Sequence, residues 1–130
     1  MSKDLLLKIY QKAKEKKIID EDFLTFLETC FPDKSTDVIK ALERGITKYL
    51  YSPSNRIVWT AKGENQEHMI YPKLYCSCQD FYKSVVIKRK RDYCKHILAQ
   101  IISEALDCFK IIKLKDNQFQ DLIKDFKLNI

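Results

Sequence analysis

Glycine occurs twice and proline three times in 130 residues, which excludes collagen-like and Gly/Pro-rich disordered chains. With Gly45 and Gly63 as the only glycines, no Gly-x-x-x-x-Gly-Lys loop exists to cradle a nucleotide phosphate. No apolar run approaches the roughly 20 residues that a membrane-spanning helix needs. The opening residues, Met1-Ser2-Lys3-Asp4, lack the basic and then apolar order of a secretory signal, so an intracellular protein with no membrane partner is expected. Five cysteines are an odd number for a disulfide scaffold, and without a signal they point to reduced thiols and metal.

What remains is a globular composition. Hydrophobic residues make up 45% and aromatics 12% of the chain, enough to bury one core, and the length fits a single domain over residues 1–130. The formal net charge of +6 permits anionic partners, nucleic acid among them, without selecting one.

The pattern along the chain predicts an α+β fold. Leu6, Ile9, Tyr10 and Ala13 share a helical face, and Asp20 can cap a second helix carrying Phe23, Leu24, Phe26 and Leu27 that stops before Pro32. Ser35 or Thr36 can cap a third helix, which Gly45 closes, so residues 1–45 are helical. Residues 46–51 and 57–60 are rich in β-branched and aromatic side chains around the turn Ser52-Pro53-Ser54-Asn55, predicting a small antiparallel hairpin that Met69-Ile70-Tyr71 extends. A long core helix follows, with Ile97, Leu98, Ile101, Ile102, Ala105, Leu106 and Phe109 at helical spacing. Asp116 can cap a C-terminal helix within residues 111–130, with Phe119, Leu122, Ile123 and Phe126 on one side.

The chemistry concentrates in two pairs, Cys76-Ser77-Cys78 and Cys94-Lys95-His96, separated by fifteen residues. Alternate residues of a strand project to one side, so a Cys-x-Cys at a strand end can offer both sulfurs to one ion. Residues two apart within a helix point about 200° apart, so Cys94 must precede the core helix, with His96 in its first turn. Three thiolates and an imidazole suit tetrahedral zinc, and four protein ligands leave no position for water or substrate. One structural zinc ion is therefore expected, fastening the hairpin to the core helix. Cys30 and Cys108 lie in apolar helical patterns and are expected in the core, and His68 is expected to be an ordinary strand residue.

Cys76-x-Cys78, fifteen residues, then Cys94-x-His96-x-x-Ala99 resembles the SWIM zinc finger. The alanine three residues after the histidine, the hairpin segment Ser52-Pro53-Ser54-Asn55-Arg56 and the short length are similar to the branch that supplies SWIM subunits of Shu-type complexes. The resemblance covers residues 46–110 well. It implies an accessory protein of homologous recombination and DNA repair that pairs with a RecA/RadA-type recombinase paralogue and promotes recombinase assembly on single-stranded DNA. The SWIM finger also occurs in transposases, chromatin proteins and ubiquitin ligases, so a stand-alone DNA-binding regulator or a protein–protein adaptor is the rival reading. The lysine and isoleucine content has an archaeal look; the expected location is the cytoplasm and nucleoid of an archaeal cell, or the nucleus of a eukaryotic one.

No catalytic residue is assigned. With His96 given to metal, a Cys-His nucleophile pair could use only His68, which has no supporting third group, and Glu21-Asp22 belong to a first helical turn, where the helix dipole favours acids. The basic run Lys88-Arg89-Lys90-Arg91, with Lys83 and Lys95 close in sequence, is the candidate for contact with DNA phosphates, and Phe81, Tyr82 and Tyr93 for stacking on unpaired bases. The same run could instead balance the charge of the metal site.

Overall fold

The computed structural model describes residues 2–119 apart from 33, 64–65, 73–74, 79–80, 88 and 90–92, and its architecture is α+β. Helix α1 (Ser2–Lys16) buries Leu6, Ile9 and Ala13, which recur at intervals of three and four residues and so lie along one face. It ends as Lys17 turns to a φ of 61° while its amide still donates to the Ala13 carbonyl at 2.8 Å. Helix α2 (Glu21–Cys30) begins at Asp20, whose Oδ1 accepts a hydrogen bond from the Phe23 amide at 2.9 Å. That bond holds the Asp20 carboxyl below the usual carboxylate range. The helix stops two residues short of Pro32, as the restriction on pre-proline residues requires.

Helix α3 (Ser35–Arg44) starts differently from the sequence reading. Lys34 holds the capping position with no side-chain bond, and Ser35 lies inside the helix, donating to Glu28 Oε1 at 2.6 Å and so tying α3 to α2. Gly45 ends α3 at a φ of 114°, a value that disfavours any side chain.

Five strands form one sheet. They are β1 (Ile46–Ser52), β2 (Ile57–Lys62), β3 (Glu67–Tyr71), β4 (Tyr75–Cys76) and β5 (Lys110–Lys115), in the order β4-β3-β2-β1-β5. The first four are antiparallel neighbours, and Ile46 pairs with Ala61 while Trp59 pairs with Ile70, so these four side chains share the face turned to the helices. At the β2–β3 turn, a Cβ on Gly63 would stand 2.7 Å from His68 Nε2 and 2.9 Å from the Gln66 carbonyl, so only glycine fits without a shift.

Helix α4 (Lys95–Leu106) lies between this sheet face and helices α1 and α3, which is why every residue from His96 to Ser103 is buried. The expected apolar stripe ran to Phe109, but the helix ends at Leu106, where Asp107 adopts the left-handed conformation at φ 56° and ψ 43°. Phe109 therefore leaves the helix and meets Trp59 edge-on, with ring centroids 5.0 Å apart. Cys108, expected in the core, is exposed for the same reason, and Cys30 is half-buried.

The C-terminal part also departs from expectation. Residues 110–115 form β5, parallel to β1, in place of the start of a helical segment. Asp116 lies within a 3₁₀ turn, Asp116–Gln118, that leads into a helical residue at Phe119; its carboxylate accepts from the Ser54 amide at 3.1 Å and from the Ser54 hydroxyl at 2.8 Å, and the body of the expected helix lies outside the described residues. The expected stripe residues Leu122, Ile123 and Phe126 lie outside the described residues. A second apolar cluster of Tyr51, Val58 and Met69, with Tyr49, Leu114 and Phe119 against it, occupies the sheet face away from α4.

Candidate metal centre

Cys76 is the last residue of β4, and its side chain points to the sheet face that α4 covers. Cys78 follows just beyond the strand end, so the chain delivers two sulfurs to one side within three residues. Cys94 is the residue that caps α4 and has extended backbone angles, and His96 is the second residue of the helix. The backbone thus bends between the members of the second pair, which brings together two side chains that a regular helix would separate.

The three sulfurs and one imidazole nitrogen all lie within 4.8 Å of one another, and all four residues are buried. Cys76 Sγ stands 3.6 Å from His96 Nδ1. In a zinc tetrahedron with Zn–S near 2.3 Å and Zn–N near 2.0–2.1 Å, sulfur and nitrogen are about 3.6 Å apart. The donor set fits zinc in number, softness and spacing, and Nδ1 is the histidine atom turned to the ion. The Phe81 amide donates to Cys78 Sγ at 3.3 Å, which favours the thiolate that a metal requires.

Three thiols this close cannot all ionise without a cation. Hydrogen bonds from the Cys76 and Cys94 thiols drive Cys78 far down, towards the thiolate, whereas Cys76, bonded to those sulfurs, goes up and burial pushes Cys94 up to about 12. Metal must therefore displace protons from this cluster of thiols, so affinity falls as the solution is acidified. Four protein donors close the coordination sphere, and the protein carries one structural zinc.

His68 does more than fill a strand position. It lies on β3 with its ring 4.8 Å from that of His96, and burial pushes its imidazole pKa down, so it stands as a neutral neighbour of the metal site outside the ligand set. Sequence spacing gave no sign of this, because the packing of α4 against β3 sets the meeting. Ala99, one turn after His96, is completely buried, where a larger side chain would overpack α4.

Between the ligand pairs, residues Phe81–Ile87 form a π-helical segment anchored by buried Phe81. Of the basic residues assigned to DNA contact, Lys83 and Arg89 are exposed and Lys95 is half-buried, while Lys88, Lys90 and Arg91 lie outside the described residues. Among the aromatics proposed for stacking, Phe81 and Tyr93 are buried and only Tyr82 is open to solvent. Tyr71 and Tyr75, both exposed, were not among the residues expected to stack on bases.

Residues 69–102, which include all four metal ligands, match the model of the SWIM zinc finger family. The chain is 31% identical over 121 residues to the zinc finger SWIM domain-containing protein 7 homolog of Dictyostelium discoideum, covering 91% of this chain and 78% of that protein. It is 27% identical over 124 residues to zinc finger SWIM domain-containing protein 7 of Homo sapiens, covering 92% and 87%, and 28% identical over 126 residues to that of Mus musculus, covering 94% and 82%. No solved structure matches the chain.

Proposed function

Because the chain belongs to the SWIM zinc finger family of zinc finger SWIM domain-containing protein 7, we propose that it is a non-catalytic accessory protein of homologous recombination and DNA repair. In this reading it pairs, as the SWIM subunit of a Shu-type complex, with a RecA/RadA-fold ATPase paralogue inside the cell. The pair promotes recombinase assembly on single-stranded DNA, and the partner supplies any ATP hydrolysis. The observation that supports this reading best is the extent of the likeness. It runs through 91% of this chain, whereas a shared finger alone would span residues 69–102 and fit many unrelated functions. Exposed Leu7, Ile18, Ile19 and Leu24 in and beside the N-terminal helices offer apolar surface for such a partner. Lys83, Lys88, Arg89, Lys90, Arg91 and Lys95 are assigned to phosphate contact.

Co-expression with each RecA-fold paralogue of the source organism tests the proposal. One of them is expected to co-elute with the chain in size-exclusion chromatography, and the isolated chain is expected to hydrolyse no ATP. Failure to co-elute with any paralogue, or hydrolysis by the chain alone, would overturn it.

A further inference from the structure

The positive charge of this protein is concentrated in one stretch. Residues 71–91 contain Lys73, Lys83, Lys88, Arg89, Lys90 and Arg91 against the single acid Asp80, a surplus of five out of the chain's net +6. A zinc ion held by three thiolates and a neutral imidazole carries one net negative charge, so balancing the metal leaves a surplus of about four. Charge balance alone does not explain the run.

The same stretch displays tyrosine rings. Tyr71, Tyr75 and Tyr82 are 55%, 38% and 61% exposed. Tyr71 and Tyr75 are direct cross-strand partners on β3 and β4, on the sheet face opposite the one that carries Cys76, with ring centroids 6.1 Å apart and planes inclined at 49°. Tyr75 meets buried Phe81 edge-on at 5.4 Å, and the Phe81 amide is the one bonded to Cys78 Sγ. The rings are thus fixed to the zinc-bound frame and are ordered before any ligand arrives, which lowers the entropy cost of binding. Exposed Lys83 lies two residues beyond Phe81, and exposed Arg89 follows the same segment.

We propose that Tyr71 and Tyr75 form a stacking platform for the bases of single-stranded DNA, with Lys83 and Arg89 holding its phosphates. This rests on the DNA-contact part of the proposed function and assigns it residues. Two inclined rings at a sheet edge can meet only bases that are already unstacked, and every base has a π face, so the platform favours single strands over duplex and tolerates any sequence.

The test is fluorescence anisotropy of a labelled 20-nucleotide oligothymidylate, and of a duplex of the same length, titrated with the zinc-loaded full chain across a salt series. The single strand is expected to bind more tightly than the duplex. Tyr71→Ala and Tyr75→Ala should each weaken single-strand binding about tenfold with an unchanged salt slope, and Tyr71→Phe and Tyr75→Phe should retain it. Lys83→Ala combined with Arg89→Ala should instead reduce the slope by about 1.4. Zinc content checks that each variant is folded. Photocrosslinking of wild-type protein to 5-iododeoxyuridine strands, read by mass spectrometry, should give adducts at Tyr71 or Tyr75 without any substitution. Ring variants that bind like wild type, a duplex bound as tightly as the single strand, or adducts confined to other residues would overturn the proposal. So would ring variants that lose the ATPase partner but keep the strand, since the rings would then be a protein interface. Loss of the ATPase complex with ring-dependent strand binding intact would count against the proposed function and leave this inference standing.

Discussion

Cys94→Ala is expected to yield a protein with well under one zinc per chain and without the folded β3–β4 edge against α4. The sulfur of Cys94 leaves from the point where α4 begins, and no other cysteine stands ready to replace it, since Cys30 and Cys108 lie outside the cluster. Structural zinc contributes about 10–16 kcal/mol of apparent binding free energy at neutral pH, whereas a domain's net stability is about 5–15 kcal/mol. Losing the ion therefore removes as much as the rest of the fold supplies. The remaining sulfurs and His96 would then be buried polar groups without their metal, beside a strand of only two residues. His96→Ala should behave alike. Elemental analysis with thermal unfolding checks both, and unchanged zinc content with an unchanged transition would rule the assignment out.

Trp59→Ala is expected to have the second largest effect, of a different kind. Trp59 is the only tryptophan, sits on central strand β2, and is buried where Phe109 meets it edge-on at 5.0 Å and Lys48 Nζ stands 5.6 Å from its ring centroid. Removing a buried tryptophan costs about 3–5 kcal/mol. Phe109 lies immediately before β5, so the loss should also loosen the attachment of that edge strand to β1. The metal ligands lie on other elements, and zinc binding of about 10–16 kcal/mol exceeds this loss, so the variant should still hold one zinc when folded. Urea unfolding followed by circular dichroism should show a lower midpoint, with Trp59→Phe falling between the two proteins. A wild-type midpoint, or loss of zinc from the folded variant, would contradict the separation of core from metal site.

The metal ligands were legible in the sequence because backbone geometry constrains residues two apart so strongly. A pair that must share a side has to lie at a strand end or across a helix start, and Cys76-x-Cys78 and Cys94-x-His96 occupy those two places. The second helix was legible for a similarly local reason, with Asp20 before it and Pro32 after it. What depended on distant partners was not. Strand β5 follows helix α4 after a turn at Asp107, a residue that tolerates the left-handed conformation but announces it far less clearly than glycine. Its neighbour β1 lies more than fifty residues earlier, so no local periodicity reveals the parallel pairing. Its residues are largely exposed at the sheet edge, which erases the alternation that marks a half-buried strand. The pairing of Tyr71 with Tyr75 is likewise a product of strand register, and the meeting of His68 with His96 a product of how α4 packs against β3.

Three sulfurs and one nitrogen close the zinc site, and X-ray absorption at the zinc edge of the purified protein tests that closure most directly. The spectrum should fit one zinc with three sulfur scatterers near 2.3 Å and one imidazole nitrogen near 2.0–2.1 Å, with no bound water. A fit that requires an oxygen from solvent, or fewer than three sulfurs, would contradict it.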